Sequence, residues 1–185
     1  MRVLAGSARR FAHEAGHLKQ LKRAGWLVAG VRDPESVAEH SFRMGILAFV
    51  IAVQEDANAD RATALRLFHD IRETRVGDQH SVGRRCVSTP PPREVIQDQV
   101  AHLPAELAAH IVALIDEHES AKSSSATLEA REYQREGYKD LEPWVTTMVD
   151  AVSTETGKRL AAAALETSPS VWWDQFAAAV RPSAE

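Results

Sequence analysis

Apolar positions recur at three- and four-residue steps through most of this chain, the spacing of one face of an α-helix. Phe11, Ala15, Leu18 and Leu21 predict a helix over 11–22. Val37, Met44, Leu47, Ala48, Ile51 and Ala52 give a broad apolar face to a central helix over 35–53, with Asp33-Pro34-Glu35 as its start. After a polar loop at 54–60, Ala64, Leu67, Phe68 and Ile71 predict a helix over 61–75. A short loop makes antiparallel neighbours of these two helices, which brings His40 towards His69. A loop over 76–93 follows, with Gly77, Gly83 and the stiff Pro90-Pro91-Pro92 run. Further helices are expected over 94–102, 105–120, 127–137, 143–152, 155–165 and 170–180. Ile111, Leu114 and Ile115 form the core face of the second of these, Trp144 and Met148 are core candidates later on, and Trp172, Trp173 and Phe176 are expected to dock the last helix. Lys122-Ser123-Ser124-Ser125 predicts a break, because serine competes for backbone hydrogen bonds.

At 185 residues the expectation is one domain over 11–180, with a flexible segment at 1–10 and a tail at 181–185. The net charge of −4 gives no electrostatic reason to expect nucleic acid as a partner. It leaves room for a small anion held by a local basic cluster. Cys86 is the single cysteine, so nothing calls for an oxidising compartment. The longest apolar run, 46–53, is short for a membrane span. With no signal-like N-terminus, the expected location is the cytoplasm, away from membranes.

The chemistry concentrates between residues 35 and 78. Glu-Ser-Val-Ala-Glu-His-Ser ends its motif at His40, and Leu-Phe-His-Asp-Ile-Arg-Glu-Thr-Arg-Val-Gly-Asp carries His69-Asp70, Glu73 and Asp78. Imidazole beside an imidazole–carboxylate pair suits one divalent transition ion: Mn, Fe, Co, Ni or Zn. Such an ion lowers the pKa of its water and generates a nucleophile near neutral pH. Glu73, three residues past Asp70, sits one helical turn on and is placed to act on that water or on a leaving group. Lys22, Arg23 and Trp26 combine a basic pair with an indole, a set able to hold a phosphate and pack a sugar or base.

The chain resembles the HD-domain metal-dependent phosphohydrolases, in particular their small 5'-deoxynucleotidase-like branch. The resemblance rests on Leu21-Lys22-Arg23-Ala24-Gly25-Trp26, on the run from Pro34 to Met44, and on His69-Asp70 with Glu73 and Gly77-Asp78. Arg131-Glu132-Tyr133, Gly137-Tyr138 and Trp144 extend it, so that it covers roughly 15–180. It implies an all-α fold, a single HD-domain helical bundle, often a homodimer. It also implies hydrolysis of the 5'-phosphate of nucleoside monophosphates with a divalent metal. His40, His69 and Asp70 would hold that metal, Glu73 and Asp78 would be catalytic, and Arg23 and Trp26 would bind substrate.

The chain departs from the family in one place. The family's fourth metal ligand is an Asp on a later helix, in a segment such as Asp-Ala-Asp-Lys-Leu-Glu. No such segment exists here; alignment back from Arg131 puts Lys122 at its position, and the region from 115 to 131 is shorter by about three turns. The ligand is then lost, or re-supplied by Asp116, Glu119 or His80. Two functions follow: a metal-dependent phosphomonoesterase, with activity reduced or lost if the ligand is missing, or a degenerate HD domain that binds a nucleotide or a partner protein without turnover.

Overall fold

A computed structural model describes residues 2–120 and 127–174. It contains ten α-helices and, among the described residues, no strand. They are α1 (Arg2–Gly16), α2 (Ala24–Val28), α3 (Val37–Gln54), α4 (Ala59–Phe68), α5 (Glu73–Val76), α6 (Pro92–Val100), α7 (Ala105–Ser120), α8 (Thr127–Arg135), α9 (Glu142–Asp150) and α10 (Glu155–Glu166). The all-α expectation holds. The chain divides into two compact units, residues 1–122 and 123–185. The serine-rich break, Lys122, Phe176 and 181–185 lie outside the described residues, as does the side chain of Glu119.

Helix boundaries moved where local chemistry outweighed periodicity. The first helix begins at Arg2, inside the segment expected to be flexible, and tightens into a 3-10 turn at His17–Lys19. The central helix starts at Val37 rather than at 35. Ser36 is its N-cap: its side chain accepts from Glu39 N at 3.2 Å, and Glu39 Oε2 accepts from Ser36 N at 2.6 Å. This reciprocal capping box satisfies two otherwise orphaned donors. Asn58 caps α4 in the same way, accepting from Arg61 N at 2.8 Å. The helix expected over 61–75 is two pieces: α4 stops at Phe68, tight turns carry residues 69–72, and α5 ends at Gly77. Gly77 has φ +72°, a left-handed conformation that favours glycine. It redirects the chain so that Asp78 turns back.

The core of the first unit joins Leu18, Val37, Ile71, Ile96, Val100, Leu103, Ile111 and Ile115. Val37 opens α3 and Ile71 lies in the turn after α4, so both motif segments are anchored in this one cluster. Gln99 on α6 is fully buried and reinforces the turn, donating to the Ile71 carbonyl at 3.3 Å and to Thr74 Oγ1 at 3.0 Å. Gly45 marks the closest approach of α3 and α4; a Cβ there would meet Leu67 Cδ2 at 3.1 Å. Further on, α3 exposes Ile46, Phe49, Val50 and Val53. At 18 residues and a mean hydropathy of 1.2, α3 is long and apolar enough to cross a membrane by length and composition, a looser criterion than the 46–53 run suggested.

The second unit packs α8, α9 and α10 around Ala130, Tyr133, Leu141, Val145, Ala161 and Ala164. Arg131 donates to the Ala164 and Leu165 carbonyls near the end of α10, where carbonyls lack helical partners. Trp144 and Met148 are half-buried, whereas Trp172 and Trp173 are 66% and 57% exposed, so these two do not dock the last helix as expected.

Candidate metal centre

Two segments meet here because the core holds both. His40 lies in the first turn of α3, and His69-Asp70 sit at the end of α4. All three are buried, and one donor atom from each lies within 4.8 Å of the others. The His40 and His69 rings are 5.5 Å apart between centroids. Convergence of His40 with His69-Asp70 is therefore the arrangement the motif spacing predicted.

The donor chemistry fits a cation. His69 Nδ1 is 2.6 Å from the Arg66 carbonyl, which can only accept, so Nδ1 carries the proton. That leaves Nε2, 2.9 Å from Asp70 Oδ2. In the neutral imidazole this sets a lone pair against a carboxylate oxygen, a repulsion that a shared cation or a second proton relieves. His40 Nδ1 lies 3.4 Å from Glu35 Oε1, which leaves its Nε2 for a cation. Metal-binding histidines commonly anchor their second nitrogen in this manner. Burial lowers the pKa of His40 below its ordinary value, which favours the neutral, ligating form. Burial alone would raise the Asp70 carboxyl, but the charge and hydrogen bond of His69, with Arg23 and His40, hold it far below the usual carboxylate range.

Glu73 stands apart from its neighbours. It is 2% exposed, and its Oε2 has no hydrogen-bond partner among the described residues. Burial, followed by the negative charges of Asp70 and Asp78, pushes its carboxyl up to about 9, against the pull of Arg23 and Arg72. It also lines a polar cavity of about 230 Å³ with Arg72, Gln79, Arg84 and Thr89.

Arg23 reaches the same place from the segment before α2. An antiparallel bridge between Lys22 and Ser36 ties that segment to the start of α3. Arg23 Nη1 then lies 3.2 Å from Asp78 Oδ1 and 3.6 Å from Asp70 Oδ2. Asp78 uses its other oxygen to accept from Ala24 N at 2.7 Å, at the start of α2. Trp26 is 3% exposed, and its indole N–H donates to Glu35 Oε1 at 3.3 Å. It backs the site through Glu35 and His40, a different place from the pocket-lining position expected of it.

The candidates for a fourth ligand fall differently. Asp116 is paired with Arg93. His80 is folded into its own loop, with Nδ1 accepting from Gly83 N at 3.1 Å. A residue not singled out as a ligand, His118, lies beside the centre, its ring 5.2 Å from that of His69. Burial, then the charges of His69 and Arg66, lower its pKa to about 4. The signal was present: Ile111, Leu114, Ile115 and His118 follow the i, i+3, i+4, i+7 stripe of one helix face. Glu35, Arg66 and Gln99 were also missed; each acts by holding another group.

The sequence model of the HD domain matches residues 15–168. The chain is 31% identical over 162 residues to the human protein "5'-deoxynucleotidase HDDC2", covering 83% of this chain and 79% of that protein. The mouse protein of the same name is 31% identical over 157 residues, 80% of this chain and 78% of that protein. A solved structure described as "crystal structure of genomics APC5600" superposes with a TM-score of 0.70 at 27% identity, covering 91% of this chain and 99% of that one. The chain belongs to the HD-domain family.

Proposed function

We propose that this chain is a metal-dependent phosphomonoesterase that cleaves the 5'-phosphate of nucleoside monophosphates, deoxynucleotides foremost. The observation that carries the reading is the buried His40–His69–Asp70 cluster, in a chain similar over most of its length to proteins named 5'-deoxynucleotidases. We take the HD domain to span 11–180 and the location to be the cytoplasm.

In this reading His40, His69 and Asp70 hold one divalent transition ion. That ion, when bound, lowers the pKa of a water and polarises the phosphoryl oxygens. Asp70 stays ionised beside the Arg23 guanidinium, 3.6 Å away. Glu73, its carboxyl raised by burial and by Asp70 and Asp78, acts as general acid on the leaving 5'-oxygen. Arg72 and Arg84 give the adjoining cavity its positive charge for a phosphate, and its Gln79 and Thr89 supply polar contacts for a sugar. Asp78 positions Arg23, and Trp26 positions His40 through Glu35. The uncovered α3 face, with a groove of about 280 Å³ between Phe42, Ile46, Phe49 and Leu67, is assigned to a second copy of this chain.

The deciding experiment offers Mn²⁺, Co²⁺, Ni²⁺ and Zn²⁺ to the purified protein and measures phosphate release from a panel of 5'- and 3'-nucleotides. Release specific to 5'-monophosphates, falling to background in His69→Ala and Asp70→Ala, supports the reading. Release that survives both substitutions overturns it. Full metal loading with no release from any nucleotide replaces it with binding without turnover.

A further inference from the structure

We infer that His118 supplies the fourth protein ligand of this centre, giving a three-imidazole, one-carboxylate set of His40, His69, His118 and Asp70. The inference rests on the metal reading above and extends it. Three donors, from His40, His69 and Asp70, already lie within 4.8 Å of one another; the His118 nitrogens fall outside that set, but its ring is 5.2 Å from the His69 ring, close enough for a side-chain rotation to bring a nitrogen to a shared ion. The placement follows from α7. His118 continues the stripe in which Ile111 and Ile115 join the core, so the face that packs inward ends in an imidazole. The two acidic residues before it are engaged elsewhere: Asp116 pairs with Arg93, and Glu117 with Arg61 at 2.5 Å. These pairs hold the last turns of α7 by the two residues that precede His118, and direct carboxylate charge away from the centre.

The substitution of imidazole for a carboxylate has two chemical consequences. A divalent ion with one carboxylate ligand keeps a net charge of +1, where two carboxylates would cancel it, and so attracts a phosphate more strongly. Imidazole ligands suit Zn, Fe and Ni, while carboxylates suit Mg and Mn. The centre should therefore discriminate against Mn²⁺ more than a two-carboxylate site does.

The test uses the full chain and Co²⁺ as probe. Affinity is measured by chelator competition, and imidazole ligands are counted by X-ray absorption, for wild type, His118→Gln, His118→Asp, His69→Gln and the exposed control His110→Gln. Three imidazoles are expected in wild type and two in His118→Gln, with affinity at least about tenfold weaker, while His110→Gln is unchanged. His118→Asp should recover Co²⁺ affinity and shift preference towards Mn²⁺. Circular dichroism of the metal-free variants separates ligand loss from misfolding, and His118→Asp keeps the test open if His118→Gln does not fold. If wild type and His118→Gln hold Co²⁺ equally with two imidazoles each, while His69→Gln loses it, the His118 assignment falls and the metal reading stands. If wild type binds no Co²⁺, or His69→Gln binds as well as wild type, both fall.

Discussion

The two halves of α3 reverse the usual relation between hydrophobicity and burial. Residues 37–44 include four polar side chains, Glu39, His40, Ser41 and Arg43, yet Val37, His40, Ser41 and Met44 are buried. Residues 45–54 include one polar side chain, Gln54, yet Ile46, Phe49, Val50 and Val53 are exposed. Burying polar groups is costly unless they are paired, so the first half records a demand made by chemistry. Leaving apolar groups in water is also costly, which is why the second half is the face proposed for a second copy. Position in the bundle, rather than residue type, decides which half is inside.

Glu73→Gln probes the buried polar end most sharply. Loss of the proton donor should lower kcat by about 10² to 10⁴-fold. The same change should stabilise the metal-free protein at pH 8. A carboxyl raised from 4.5 to about 9 binds its proton more tightly in the folded state. Its contribution favours folding below pH 4.5 and is lost as pH rises towards 9. Thermal melts of the metal-free variant should therefore lose part of the wild-type decline between these limits; an unchanged decline would show that Glu73 is not the strained group.

Gln99→Ala tests the turn that carries the His-Asp pair. It removes the two hydrogen bonds that Gln99 donates to the Ile71 carbonyl and to Thr74 Oγ1 and should cost about 1–3 kcal/mol in urea unfolding. A smaller loss is expected from Ser36→Ala, about 1 kcal/mol, as the capping box of α3 opens. The Glu39 half of the box also depends on pH. The backbone and side-chain hydrogen bonds of Ser36 lower the Glu39 pKa, so the stabilisation is present above the ordinary value of 4.5 and fades as pH falls below it. The least effect on folding should come from Phe49→Glu on the uncovered half. Monomer stability should move by no more than about 0.5 kcal/mol, while sedimentation should show a shift from dimer to monomer if a second copy covers this face as proposed. If Phe49→Glu unfolds the chain instead, the two halves of α3 are not as different as their exposures imply.

Much of this was legible in sequence because helix periodicity and the ordered His40, His69-Asp70, Glu73, Asp78 set are local patterns. The Ser36–Glu39 capping box was equally legible as Ser-x-x-Glu, but Asp33-Pro34 drew the helix start two residues early. His118 was visible as the last step of the α7 stripe, yet its adjacency to His69 depends on how α4 and α7 pack, which no single segment encodes. The partner of Trp26 was hidden for the same reason: an indole next to two cations is compatible with a core anchor or a substrate platform until Glu35 is seen to take its N–H.

Asp78 has a consequence for how the candidate site is held. One carboxylate clasps Arg23 and the first amide of α2, partners more than fifty positions earlier in the chain. The same Arg23 Nη1 also lies 3.6 Å from Asp70 Oδ2, so the clasp reaches the candidate metal centre. One carboxylate thus ties a contact between distant parts of the chain to the arrangement of the candidate site.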